Sequence, residues 1–267
     1  MRGSIIALAT LLSIPLYAGE YTDVRELELN TDNLKGFYAD TAAGYLKITG
    51  NDEIDQIIVK ATIRIETKSS FDDVDAQKLI DEKLVLKLSE SGSKGKLLVK
   101  FESNFLNFSN LYRQVDLDIE MPANLFLEIE DGSGSITISD MKKGLYIEDG
   151  SGSIELTDSA GEITIKDGSG PVVVKLVQGD ISIDDGSGSI DVSQVEGNIE
   201  IDDGSGSIVI SDITGSVRID DGSGSIDISG VSNDFTLVDD GSGRVNLSDI
   251  NGDVRGYNDG KRKRDLK

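Results

Sequence analysis

The chain has 267 residues with no cysteine, no histidine, three prolines and 30 glycines, and carries a formal net charge of −23 at pH 7. This excludes disulfides, thiol and Ser–His chemistry and nearly every transition-metal site, and it makes nucleic acid and anionic membrane surfaces poor partners. An apolar fraction of 37% with 5% aromatics is low for a chain this long, so the fold must be thin and its apolar residues strictly phased.

Residues 1–18 read as a secretory signal peptide: Arg2 is the basic start, Ile5 to Leu12 the apolar run, Pro15 the break and Ala18 the small residue for cleavage. The run falls short of the ~20 residues a span requires, so cleavage is expected rather than anchoring, and no later segment could cross a membrane as a helix. With no Cys, a lipid-anchored cysteine is not expected either. The expected location is outside the cytoplasm, in the periplasm or at the cell surface.

Residues 19–130 form an irregular β region. Tyr45 to Ile48 and Ile57 to Ile63 flank Gly50-Asn51-Asp52 and predict two strands around a turn. Ser70 to Asp81, with Phe71, Val74 and Ile80, predicts a short helix or ordered loop behind a Ser cap. Leu84 to Leu88 and Leu97 to Phe101 predict a strand pair around a polar loop. Val115 to Glu120 alternates cleanly, and Pro122-Ala123-Asn124 turns into a strand at Leu125 to Ile129. This region is expected to continue the repeats that follow as wider coils and to cap their strand edges.

Residues 131–258 are periodic. Asp-Gly-Ser-Gly begins at Asp131, Asp149, Asp167, Asp185, Asp203 and Asp221, each 18 residues after the last, and again at Asp240 after a 19-residue step. Such a period marks a solenoid. Within each repeat two aliphatic pairs of the form I-x-I lie nine residues apart, as at Ile208/Ile210 and Val217/Ile219. Side chains two apart share a face, so each pair is a half-buried strand. A further apolar column runs Met141, Val177, Val195, Ile213, Val231, Ile250, with Ser159 as its exception. A hexapeptide helix would place one apolar residue every six positions, which this spacing does not. The prediction is an all-β, two-sheet parallel β-solenoid with 18-residue coils and an irregular N-terminal β region, its acidic corners stacked on the outside. Residues 259–267, with Lys261-Arg262-Lys263-Arg264, are expected to be a mobile basic tail.

Asp131, Asp149, Asp167, Asp185, Asp203, Asp221 and Asp240 carry the one chemical tension. Stacked at the interstrand spacing, about 4.8 Å, neighbouring carboxylates repel by about 1 kcal/mol in water and by more when desolvated. Either each accepts hydrogen bonds from its own turn in an Asx-type arrangement with solvent screening the rest, or a ladder of Ca²⁺ ions bridges adjacent coils. Chelation would separate the two. The Gly-Ser-Gly runs lack the following helix and the Lys of a phosphate loop, and no base stands beside the serines to make a nucleophile. The outward residues give neither a Thr ladder nor an aromatic groove.

The run from Val115 to Ile129 into Gly-Ser-Gly repeats, with Ala42-Ala43-Gly44-Tyr45-Leu46-Lys47-Ile48-Thr49-Gly50 ahead of it, resembles the bacterial putative-adhesin domain family over about residues 38 to 255. The resemblance implies an exported β-solenoid of unknown function and supplies no catalytic residues. The expectation is a non-enzymatic envelope scaffold or adhesin-like interaction protein without cofactor, whose partner is an envelope protein or glycan. A Ca²⁺-stabilised surface adhesin module and a glycan-acting enzyme are the alternatives.

Overall fold

The computed structural model of the chain describes residues 20–67, 73–102 and 111–256; the expected signal peptide, the Ser70 cap and the basic tail lie outside them. Two compact units are present, Met1–Ser135 and Ile136–Lys267.

The N-terminal unit contains β1 (Glu20–Asn30), β2 (Gly36–Asp40), β3 (Leu46–Asn51), β4 (Gln56–Thr67), α1 (Asp73–Lys83), β5 (Leu84–Ser91), β6 (Lys94–Phe101), β7 (Leu111–Pro122) and β8 (Phe126–Asp131). One set of strands runs in the order β1-β4-β7-β3, antiparallel except for the parallel pair β3 and β7. The other runs β8-β2-β6-β5, with β2 parallel to both β8 and β6 and a β5–β6 hairpin at its end. The alternation of β4 buries Ile57, Val59, Ala61, Ile63 and Ile65, and that of β7 buries Val115, Leu117, Ile119 and Met121.

Two local features go beyond what was expected of them. The strands predicted around Gly50-Asn51-Asp52 exist as β3 and β4, but they do not pair with each other; β7 lies between them. A turn signal fixes where a strand stops, and the twelve-residue ladder of β7 offers each of them a better edge than they offer one another. In α1 the buried face is Ala76, Leu79 and Ile80 at helical spacing, while Val74 is 74% exposed and contributes nothing to the core. The predicted hairpin at residues 84–101 is present, with most of its polar loop drawn into strand so that only Gly92 and Ser93 connect the two.

The repeat unit is a two-sheet parallel β-solenoid. Each 18-residue coil has one long strand, such as Gly188–Glu196, and one short strand, such as Ile199–Asp203. Equivalent residues stand in register from coil to coil, so that Ile163, Ile181, Ile199 and Val217 follow one another in one sheet and Val172, Ile190, Ile208 and Ile226 in the other. Parallel strands buried between two sheets need aliphatic side chains, and both columns are 2% exposed or less.

The long strand bends before its end. Asp140, Asp158, Leu176, Gln194, Asp212 and Asp249 have φ between 49° and 64°, and Gly230 has 68°. That left-handed residue resets the parity of the strand, so in the coil at Ile190 and Val192 the next inward residue is Val195, three positions on. This is why the column Met141 to Val231 exists. At Ser159, its polar member, the buried hydroxyl donates to the Thr157 carbonyl at 2.9 Å.

Candidate functional site: an inward carboxyl column and an outer groove

The alternation of each short strand continues one step past its aliphatic pair. In Ile199-x-Ile201-x-Asp203 the aspartate has the same parity as the isoleucines, and it points inward. Asp149, Asp167, Asp185, Asp203 and Asp221 are at most 5% exposed, which corrects the expectation of acidic corners stacked outside. The residues with outward parity, among them Glu148, Lys166, Asp184, Asp202 and Asp220, are the ones that face solvent.

The turn half of the expectation holds. Oδ1 of each of these five aspartates accepts the backbone N–H of the serine two residues on, at 2.9–3.2 Å. The glycine between them donates its N–H to the aspartate carbonyl of the preceding coil, as Gly186 does to Asp167 at 2.9 Å and Gly204 to Asp185 at 2.8 Å. The motif therefore closes its own turn and staples it to the previous one. Its second glycine admits no side chain: a Cβ at Gly170, where φ is +141°, would lie 1.6 Å from the Gly152 carbonyl oxygen.

The second carboxyl oxygen has a different fate. Oδ2 of Asp167, Asp185, Asp203 and Asp221 is buried without a hydrogen-bond partner. Burial disfavours the charged form and raises all four carboxyls above their ordinary range. Asp185, whose burial is reinforced by the charge of Asp167, and Asp203, flanked by Asp221 and Asp202, are pushed up to about 6.

The two remaining members of the predicted set stand apart. Asp131, in the N-terminal unit, is also buried; its Oδ1 accepts the Thr41 hydroxyl at 2.5 Å while Oδ2 has no partner, and burial again raises it. Asp240 is half-buried. The 19-residue step slips the motif by one against the strand, and Asp239 Oδ1 takes the turn N–H groups of Asp240 and Gly241 at 2.9 and 3.0 Å.

The geometry gives a divalent cation little to hold. Ca²⁺ takes six to eight oxygens, whereas at Asp185 and Asp203 one Oδ is engaged by a serine N–H and only Oδ2 is left at each level. Among the described residues no three acidic side chains converge closely enough to hold a metal ion.

A groove of about 730 Å³ runs beside the left-handed bends of the long strands, lined by Lys142, Asp158, Leu176, Gln178, Gln194 and Glu196 among others. Leu176 is 46% exposed there. Amides and carboxylates around an apolar patch suit an extended polar chain rather than a compact metabolite. Sequence reading missed both the groove and the bends; the signal was the column Asp140, Asp158, Asp212, Gly230 and Asp249, rich in residues that tolerate positive φ, one place before the apolar column.

Fold and site together define a parallel two-sheet β-solenoid with an acidic column inside its core. No family model and no curated protein matches the chain. Among solved structures the fold is similar to that of a putative adhesin from Bacteroides fragilis, with a TM-score of 0.50 and 12% identity over 87% of this chain and 96% of that one. A putative cell adhesion protein from Clostridium sporogenes (TM-score 0.26, 11% identity, 88% of this chain and 98% of that one) and a putative adhesin from Parabacteroides merdae (0.30, 9%, 87% and 95%) overlap too loosely to add to it. At these identities the likeness is one of fold.

Proposed function

We propose that the chain is an exported, non-enzymatic scaffold or adhesin-like interaction protein of the bacterial envelope, in the periplasm or at the cell surface, with an envelope protein or glycan as partner. The observation that carries the reading is where the perturbed carboxyls are. Catalytic acids need raised values at a place a substrate reaches, and Asp185 and Asp203 spend theirs inside the core, at 1% exposure. What the repeat unit offers outward is a repeated surface with a groove of about 730 Å³ beside the long strands and a smaller one of about 320 Å³ beside the short strands, the kind of surface by which solenoids bind extended partners. The name of the similar Bacteroides fragilis structure, a putative adhesin, agrees with this reading.

The test has two arms. Fractionation of cells making the full chain is expected to place it outside the cytoplasm, and purified envelope polysaccharide or envelope protein is expected to retain it, with retention weakened by Leu176→Arg in the groove. Cytoplasmic recovery, or turnover of an envelope polysaccharide with release of reducing ends, would replace the scaffold reading.

A further inference from the structure

The column in the repeat unit poses a problem of charge. Asp167, Asp185, Asp203 and Asp221 are paired in strict register, which sets neighbouring backbones about 4.8 Å apart and stacks successive carboxyls one above another. The charges that act on them are acidic: Asp184 on Asp185, Asp202 on Asp203, and Asp220, Asp239 and Asp240 on Asp221, the first three from the outward side of the strands. The long strands of the opposite sheet turn only aliphatic side chains inward at these levels, Ile190, Val192, Ile208 and Ile210 among them. Among the described residues no ion pair reaches these four carboxyls, and their Oδ2 atoms are orphaned. Packing is close as well, since a Cβ at Gly188 would lie 3.2 Å from Asp185 Oδ2. The cation that fits without room or further ligands is a proton.

We propose that these carboxyls form a proton-sharing ladder, in which a proton carried on the Oδ2 of one coil is donated to a carboxylate oxygen of the next. One O–H bond forms per proton taken from solvent, the column loses one negative charge with each, and two orphan oxygens become donor and acceptor. The fold then tightens as the pH falls. In the unfolded chain these residues return to the ordinary aspartate value of 3.8, whereas in the folded column burial raises all four and Asp185 and Asp203 hold their protons up to about 6. The folded state therefore binds more protons between those limits. The stabilisation is fully present below the lower limit and is lost as the pH rises through the upper one.

Carbon-detected NMR of the wild-type carboxyls tests the ladder without any variant: midpoints near 6 for Asp185 and Asp203 are expected, and ordinary aspartate midpoints would overturn it. Asp203→Asn keeps the Oδ1 acceptor of the turn and supplies a permanent donor in place of the shared proton. It is expected to raise Tm at about pH 7.5 and not at about pH 4, and to lower the Asp185 and Asp221 midpoints by at least about half a unit. Asp202→Asn changes net charge equally on the outward side, and its effect is expected to be small and alike at both pH values. Neighbour midpoints that stay in place in Asp203→Asn mean isolated acids and overturn sharing. A Tm raised by added Ca²⁺ in wild type but not in Asp203→Asn assigns the column to metal instead, and equal behaviour of the two variants reduces the effect to net charge.

Discussion

In the N-terminal unit two of the three buried acids, Asp23 and Asp116 but not Asp131, have an arginine, Arg25 Nε at 2.9 Å from Asp23 and Arg64 against Asp116, which also accepts the Tyr45 N–H at 3.0 Å. In the repeat unit Asp167 to Asp221 lie equally deep and are met by backbone N–H groups of their own turns, the serine's in each and Gly168's as well at Asp167, with no cation among the described residues. An irregular fold can place a particular cation beside a particular carboxylate. A repeat cannot place a long basic side chain in every narrow coil, so its compensation must come from what each coil has, namely backbone donors and exchangeable protons. The difference teaches that periodicity multiplies a local solution and its defect together.

The sharpest way to break the comparison is through glycine. Gly170→Ala drives a methyl to 1.6 Å from the Gly152 carbonyl oxygen, and backbone stacked on backbone cannot yield; a loss of more than about 4 kcal/mol is expected in urea unfolding. Gly92→Ala, in the β5–β6 turn, also starts from positive φ but meets nothing within 4 Å, and should cost only about 1–2 kcal/mol for the left-handed backbone. Similar losses at the two sites would mean that stacking adds nothing to conformational strain.

Next in size is the charge contrast. Arg64→Met leaves the Asp116 carboxylate buried without its cation and is expected to cost about 2–4 kcal/mol, less than the full cost of a broken buried pair because Arg64 is itself partly exposed. The opposite sign is expected for neutralising Asp203 near neutral pH. If both changes destabilise alike, the column is held by something other than protons.

How much of this was legible follows from the same contrast. The aliphatic pairs at Ile208/Ile210 and Val217/Ile219 specified both sheets and their register, because a period-two pattern repeated every 18 residues admits one stacking. The parity that placed those isoleucines inside also places Asp203 and Asp221 inside, and only the habit of reading Asp-Gly as an exposed corner hid it. The N-terminal pairing was not legible, since no residue in β3 or β4 states that β7 will come between them. Nor was the Arg64–Asp116 pair, whose members are 52 residues apart. The slip at Asp240 was written in its 19-residue step.

A third measurement sharpens the comparison by pH. Opening free energies from amide exchange in the repeat unit should fall by roughly 1–3 kcal/mol as the pH rises from about 4 to about 6, because the folded column gives up protons that the unfolded chain has already lost. Amides of β4 and β7, whose buried Asp116 is paired with Arg64, should follow this trend less. A uniform fall across both units would point to whole-chain charge rather than to the column.

The smallest effect expected concerns backbone strain. In the described N-terminal unit every residue with positive φ is a glycine, whereas the repeat unit holds Leu176 at 57° and Gln194 at 58°. A left-handed residue with a Cβ costs about 1–2 kcal/mol, and asparagine recovers part of this through its short polar side chain. Leu176→Asn removes an exposed apolar side chain and keeps the bend, so a gain of about 0.5–1 kcal/mol is expected, with Gln194→Asn giving a similar one. A loss at Leu176 alone would mean that its contacts along the groove outweigh the strain, and that the coil tolerates an unfavourable backbone to present that leucine there.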